Sequence, residues 1–333
     1  MDVIVTGGAG YIGSHVCKSL KAEGHVPIAY DNLSSGHQAM VQWGNFEYGD
    51  VLDKPRLKEV LAKYRPAAVI HMAGVIAAGE SVDFPYKYYH TNTFGSLTLL
   101  EAMREEKCNN IIFSSTAAVY GAAKKLPIGE EETAAPINPY GSSKLMIEWL
   151  LRDYFISDAI QFAALRYFNA AGADPDGEAG CLHEMPNNLV PVLMQVQAGI
   201  RPVFEIYGTD YPSPDGTAIR DYVHVTDIAE AHVLALGYLI KEKKNLTLNI
   251  GTGRGHSVKE VVHCVEKLTG RAVPVETRPR RAGDVAELVA DPANAGRVLG
   301  WKAKHSHLEN IIKTAWNWQL NGYRRHQPRP ARA

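Results

Sequence analysis

Tyr140 and Lys144 stand four residues apart in the run Asn138-Pro139-Tyr140-Gly141-Ser142-Ser143-Lys144. Pro139 pre-sets the first-turn dihedral of a helix, and Asn138 before it suits an N-cap. On such a helix positions i and i+4 lie one above the other, so an ammonium would flank a phenol. That ammonium and the positive end of the helix dipole both favour the phenolate. A group with an unperturbed pKa of about 10 then becomes a base usable near neutrality. Tyr-x-x-x-Lys is short and recurs by chance, so its meaning depends on its surroundings. Upstream, Asn110-Ile111-Ile112-Phe113 reads as a strand ending in Ser114-Ser115-Thr116. A hydroxyl cluster at a strand end can set Thr116 against a substrate hydroxyl and the phenol.

The elements that must position this pair begin at the first residues. Val3-Ile4-Val5 reads as a buried strand, Thr6-Gly7-Gly8-Ala9-Gly10-Tyr11-Ile12-Gly13 as a turn, and the residues from His15 as a helix. That order is the context of a dinucleotide-binding turn, in either the Gly8-x-Gly10-x-x-Gly13 or the Gly7-x-x-Gly10-x-x-Gly13 register. Small residues there let backbone amides approach a pyrophosphate at a helix N-terminus. A second strand, Val26-Pro27-Ile28-Ala29-Tyr30, ends in Asp31-Asn32, about 20 residues past the last glycine, where a carboxylate accepts from adenosine ribose hydroxyls. No arginine follows at once to receive a 2′-phosphate, which favours NAD over NADP. Further strands are expected at 46–48, 67–73 and 161–167, the fourth ending in Gly74, with helices at 56–64 and 92–106. Strands alternating with helices mean a doubly wound parallel α/β sheet of Rossmann type, in which ligands collect at the carboxyl ends of strands.

The chain has 333 residues, is 46% hydrophobic and 21% charged, and carries a formal charge of −1. This is ordinary globular composition with no nucleic-acid footprint and no apolar run of membrane-spanning length. Cys17, Cys108, Cys181 and Cys264 are scattered, and no His-Glu-x-x-His occurs. Neither a disulfide framework nor a metal site is expected, and the default is a cytoplasmic protein. Beyond 170 the alternation weakens. We expect an NAD-binding domain over 1–170 and a smaller mixed α/β substrate lobe over 171–323, with some segments returning to the first domain and a disordered basic tail at 324–333. Arg220 and Arg281 lie in polar loops of this lobe, and a guanidinium fork suits a diphosphate.

These motifs together carry a resemblance. They are 6–13, Asp31-Asn32-Leu33, His71-Met72-Ala73-Gly74 leading to Gly79-Glu80-Ser81, Ser114 to Gly121, and the Tyr140/Lys144 pair. They continue through Leu165 to Asn169, Asn187-Asn188-Leu189, Arg220 to His224 and Arg281-Ala282-Gly283-Asp284. Over nearly its whole length the chain resembles the extended short-chain dehydrogenases/reductases, and within them the UDP-galactose (UDP-glucose) 4-epimerases. The resemblance implies NAD as cofactor, a UDP-sugar as substrate, and a homodimer. It implies that Tyr140 takes the proton of the sugar 4-hydroxyl with Thr116 bridging, and that C4 is oxidised to a ketone. The tethered sugar then rotates and is reduced on its other face. Cofactor contacts are implied for Gly7, Gly10, Tyr11, Ile12, Gly13, Asp31, Asn32, Ser34, Asp50, Val51, Met72, Ala73, Gly74, Asn92, Ser114, Tyr140, Lys144 and Tyr167. Substrate contacts are implied for Thr116, Asn169, Asn188, Leu189, Tyr207, Arg220, Arg281, Asp284 and Leu288.

Two positions depart from the family pattern: Ile76 stands where lysine is usual near the cofactor phosphates, and Leu288 where several relatives have tyrosine. Leucine at 288 predicts secondary activity on an N-acetylhexosamine, since pockets differing by small apolar groups discriminate only in a graded way. A 4,6-dehydratase would need an acid and a base after the hydroxyl residue, and Ala117-Ala118 supply neither. UDP-uronate enzymes fit the 187–189 and 222–224 contexts less well. A regulatory protein that senses NAD without catalysis would be expected to lose the tyrosine or the lysine.

Overall fold

The computed structural model describes residues 1–281 and 283–323; the expected tail at 324–333 lies outside them. Thirteen strands run in chain order. They are β1 Asp2–Thr6, β2 Val26–Asp31, β3 Asn45–Tyr48, β4 Ala68–His71, β5 Asn110–Thr116, β6 Gln161–Tyr167, β7 Asn169–Ala171 and β8 Phe204–Tyr207. After them come β9 Ile219–His224, β10 Leu246–Ile250, β11 Gly255–Ser257, β12 Val275–Arg278 and β13 Glu287–Leu288.

Seven of them form one parallel sheet in the order β10-β6-β5-β4-β1-β2-β3. Short apolar runs make strands buried on both faces, as a parallel sheet requires. Successive side chains of β1 show it: Val3 and Val5 join one core cluster, Ile4 the other. The first cluster lies under the helices Tyr11–Ala22 and Val225–Glu242, through Val16, Leu20, Ile228 and Leu239. The second lies under the helices Lys54–Tyr64, Gly95–Glu105 and Pro139–Asp158, through Leu57, Leu99 and Ile147. The sheet's seventh strand, β10, comes from beyond residue 170 and pairs with β6 from Leu246↔Ala163 to Ile250↔Tyr167. The helix expected over 92–106 begins instead as a π-turn, Tyr89–Phe94, and becomes α-helical at Gly95–Glu105.

The remaining strands build a small sheet, β11-β9-β13 with β7 on β9, and a two-stranded ribbon, β12-β8. A separate core of Val190, Leu193, Val261, Val265, Ile311 and Ile312 supports them. Asp221 in β9 joins the two parts. Its fully buried carboxylate accepts from the amides of Thr252, Gly253 and Ala290 and from Thr252 Oγ1 at 2.6 Å. The loop after β10 and the chain leaving β13 are thereby tied to one acceptor. Asp221→Asn would turn an NH2 donor onto those N–H groups. We expect roughly 3 kcal/mol of destabilisation, the scale for a broken buried charged interaction. A urea titration in which the midpoint does not move would remove Asp221 from this role.

Candidate functional site

The Tyr140–Lys144 pair sits where the expected helix begins. Asn138 caps it, its Oδ1 accepting from Gly141 N at 2.9 Å. Gly141 has no side chain to spare: a Cβ there would lie 2.5 Å from Ala118 O. The helix therefore presses directly on the turn that follows β5, and Thr116, at the end of β5, donates a hydrogen bond to the Tyr140 phenol. One turn on, Lys144 is 2% exposed; its Nζ donates to Ser114 O at 3.0 Å and lies 4.9 Å from the Phe113 ring centroid.

The electrostatics correct one expectation. Burial raises the pKa of Tyr140 above its ordinary value, against the lowering effect of Thr116, and burial also pulls Lys144 down to about 8. The ammonium is spent on Ser114 O and Phe113, and desolvation outweighs the help it was expected to give the phenol. The protein's own groups alone do not make the phenolate the resting form.

Around the pair lie the strand ends. Gly7 has φ +71°, and a Cβ on it would meet Ala73 N at 2.8 Å; one on Gly13 would meet Gly7 O at 2.1 Å. Gly10 begins the helix Tyr11–Ala22 with no side-chain cap, so the first-turn amides of Tyr11, Ile12 and Gly13 have no side-chain acceptor. Asp31, at the end of β2, accepts from the Ala9 and Leu33 amides through its two oxygens. Asn32 donates to Asp50 and accepts from the Ser34 amide, and Val51 is buried beside them. Tyr11 OH reaches Gly172 O at 2.6 Å. At the ends of β4 and β6, the Met72 and Ala73 amides donate to Thr6 Oγ1, Gly74 lies close to Asn92 and Lys144, and Tyr167 OH hydrogen-bonds Ser114 Oγ.

Asn92, expected as a cofactor contact, lies beside Gly74 at the strand ends. It is 1% exposed, and its amide is committed to both Val75 backbone groups and to Ser143 Oγ. It shapes the site by fixing the π-turn against the catalytic helix. The sequence also gave no notice of Tyr88, edge-on to Tyr140 at 6.4 Å, or of His71 as a bridge between Thr6 Oγ1 and Ser96 Oγ. Ser96 donates onward to Asn92 O, so the histidine's Nε2 carries the proton. Burial takes its pKa down to about 3, which keeps it neutral. A histidine closing an apolar strand was the available signal.

The substrate-side candidates gather at the small sheet. Arg281 lies with its guanidinium 3.7 Å from the Tyr207 ring centroid, and Arg220 Nη2 is 3.9 Å from Asp284 Oδ1. Leu288 pairs with Arg220 in register and packs against the large core. Asn169 pairs with Tyr222. Asn188 is the exposed N-cap of the helix Leu189–Gln197, its side chain unused, with Leu189 half-buried behind it. A Cβ built on Gly283 would lie 3.7 Å from Asn138 Cβ, which brings the 283–288 segment over the start of the helix Pro139–Asp158.

Among the described residues one group could hold a metal ion by spacing: Asp174, Asp176 and Glu178. Lys18 already reaches all three carboxylates at 2.8–2.9 Å, so an ammonium does a cation's work there. No described helix is long and apolar enough to cross a membrane.

Residues 3–251 match the model of the NAD dependent epimerase/dehydratase family. The chain is 45% identical over 316 residues to a UDP-glucose 4-epimerase of Rhizobium leguminosarum bv. trifolii, covering 95% of this chain and 96% of the relative. A crystal structure of UDP-glucose 4-epimerase from Brucella ovis in complex with NAD is similar at TM-score 0.92 and 52% identity, with 95% and 97% of the two chains covered. The enzyme of the same name from Bifidobacterium longum, in complex with NAD+ and UDP, is similar at TM-score 0.93 and 39% identity, with 97% and 99% covered. The family model and the relatives' identities over nearly the whole length agree: this chain belongs to the NAD dependent epimerase/dehydratase family.

Proposed function

We propose that the protein is a UDP-glucose 4-epimerase, interconverting UDP-galactose and UDP-glucose with NAD. The observation that carries the reading is the contact of the Tyr140 phenol with Thr116, one turn from a buried Lys144. The glycine turn, with its uncapped helix start, fits a pyrophosphate, and Asp31 fits a ribose diol. When bound, NAD supplies the hydride acceptor at C4 and a positive charge that favours the phenolate. Tyr140 then holds the proton of the 4-hydroxyl, and Thr116 fixes the direction of that transfer. Lys144, brought down to about 8 by burial, lies one helical turn from the phenol. Burial of the pair strengthens each of these interactions.

Arg220 and Arg281 offer two guanidiniums to a diphosphate, and the sugar reaches the phenol tethered only at that end. Rotation of the 4-keto sugar then presents its other face, and net redox is zero. The residues after Thr116, Ala117 and Ala118, carry no proton, which disfavours a dehydratase. Leu288 lies in register with Arg220 and fits a graded preference for hexose over N-acetylhexosamine.

A second copy of the chain is the partner we infer. Along the helix Pro139–Asp158, Met146, Trp149 and Ile156 are 37%, 50% and 80% exposed, and Phe94 on the adjoining π-turn is 52% exposed. This apolar stripe suits pairing of like helices. The four cysteines are free, in keeping with a cytoplasmic enzyme.

Incubation with UDP-galactose and no added NAD should yield UDP-glucose, with UDP-N-acetylglucosamine turned over more slowly. Tyr140→Phe should lower turnover by ~10²–10⁴-fold and leave UDP affinity unchanged; turnover within twofold of the parent would take Tyr140 out of the reaction. Arg281→Ala should weaken UDP binding by about 1.5–3 kcal/mol in calorimetry. Equal affinity would mark that arginine as a surface residue stacked on Tyr207. Sedimentation should give twice the 36.6 kDa chain mass and the single mass for Trp149→Glu; a monomeric parent would end the pairing idea.

A further inference from the structure

We propose that the buried Glu148–Arg166 pair is a positioning device for catalysis, setting the height and rotation of the Tyr140–Lys144 helix against strand β5. The inference rests on the epimerase reading above, since it concerns how that reaction's base is aimed.

Tyr140, Lys144 and Glu148 follow one another at intervals of four and form a single stripe on their helix. Each member of the stripe meets one of three consecutive residues at the end of β5. Lys144 Nζ donates to Ser114 O at 3.0 Å, Ser115 Oγ donates to Glu148 Oε1 at 2.6 Å, and Thr116 donates to the Tyr140 phenol. Of the three side chains of the stripe, Glu148 alone forms an ion pair, with a residue of the next strand. Arg166 in β6, the register partner of Ser115, forks onto Glu148, with Nε donating to Oε1 at 2.9 Å and Nη2 to Oε2. Its third nitrogen, Nη1, donates to Tyr120 OH at 3.0 Å, and Tyr120 OH passes its proton side to Asn249 Oδ1 in β10. Ser115, Glu148 and Arg166 are 1%, 1% and 4% exposed.

A buried pair of this kind adds little stability over well-packed apolar residues of the same size. What it adds is geometry. The apolar contacts of Ile147 and Leu151 in the core below are non-directional and do not by themselves fix the rotation of the helix. A planar fork on a carboxylate that also accepts a serine hydroxyl has one arrangement. Glu148 touches neither the phenol nor the ammonium in the hydrogen bonds it makes; it acts through the helix. The groups facing Tyr140 and Lys144 themselves are Thr116, Ser114, Phe113, Tyr167, His71 and Tyr88, and none of these hydrogen-bonds the Glu148 carboxylate.

The test compares Glu148→Gln, Ser115→Ala and the apolar double variant Glu148→Leu/Arg166→Met with the parent, each assayed well below its thermal midpoint. Misplacing a catalytic group by a fraction of its contact distance costs rate more than binding. We expect kcat for UDP-galactose to fall at least tenfold in Glu148→Gln, with KM and calorimetric UDP affinity within twofold. Ser115→Ala should fall in the same direction by less. In the double variant the thermal midpoint should return toward the parent while kcat stays low, a split that a purely structural role would not produce. Recovery of kcat together with stability, or an unchanged kcat in Glu148→Gln, overturns the inference. If the double variant does not fold, Glu148→Gln and Ser115→Ala decide by their kcat alone. A parent without epimerase activity would instead overturn the functional reading, and this inference with it.

Discussion

The close approach of one helix to one turn is the constraint from which the site follows. Gly141 allows it, because any larger residue would drive its Cβ into Ala118 O. Asn138 fixes where the helix starts, and that fixes the rotation at which Tyr140 emerges. Thr116 can reach the phenol only because strand and helix are pressed together at this point. The parallel sheet supplies the other coordinate. Side by side, β4, β1, β5 and β6 end at one edge, so the glycine turn, Gly74, Ser114 and Tyr167 arrive together without any long connection.

Burial at this edge has two opposite uses. It holds the phenol protonated when only protein groups surround it, and it brings the amine down toward neutrality. A cation arriving beside the phenol would therefore act in a poorly screened setting and have a large effect. The small sheet has the reverse character, with one exposed and one half-buried guanidinium, an exposed aspartate and an aromatic ring for one arginine to lie on.

The first six strands were legible because each is a short, mostly apolar or aromatic run closed by Gly, Asp, Ser or Asn, and the Pro-Tyr-Gly segment announced its helix by its cap. The seventh strand was not. Leu246-Thr247-Leu248-Asn249-Ile250 has the alternation of a half-exposed strand and follows a long irregular excursion, and only its pairing with β6 gives it a place. Local spacing put Lys144 over Tyr140, but the sign of the phenol's shift depends on what the rest of the chain buries.

The position of β10 has a consequence for the chain as it leaves the ribosome. Synthesis delivers β1 to β6 first, and these six can pair among themselves. The apolar side of the helix Tyr11–Ala22, however, is covered by the helix Val225–Glu242, and the open edge of β6 waits for residues 246–250. Until some 80 further residues have emerged, the nascent sheet carries an unpaired parallel edge and an uncovered helix flank. Closure at such sequence separation is slow compared with local folding. The order of synthesis therefore leaves the sheet's last seam to be closed by the segment that returns from the small lobe.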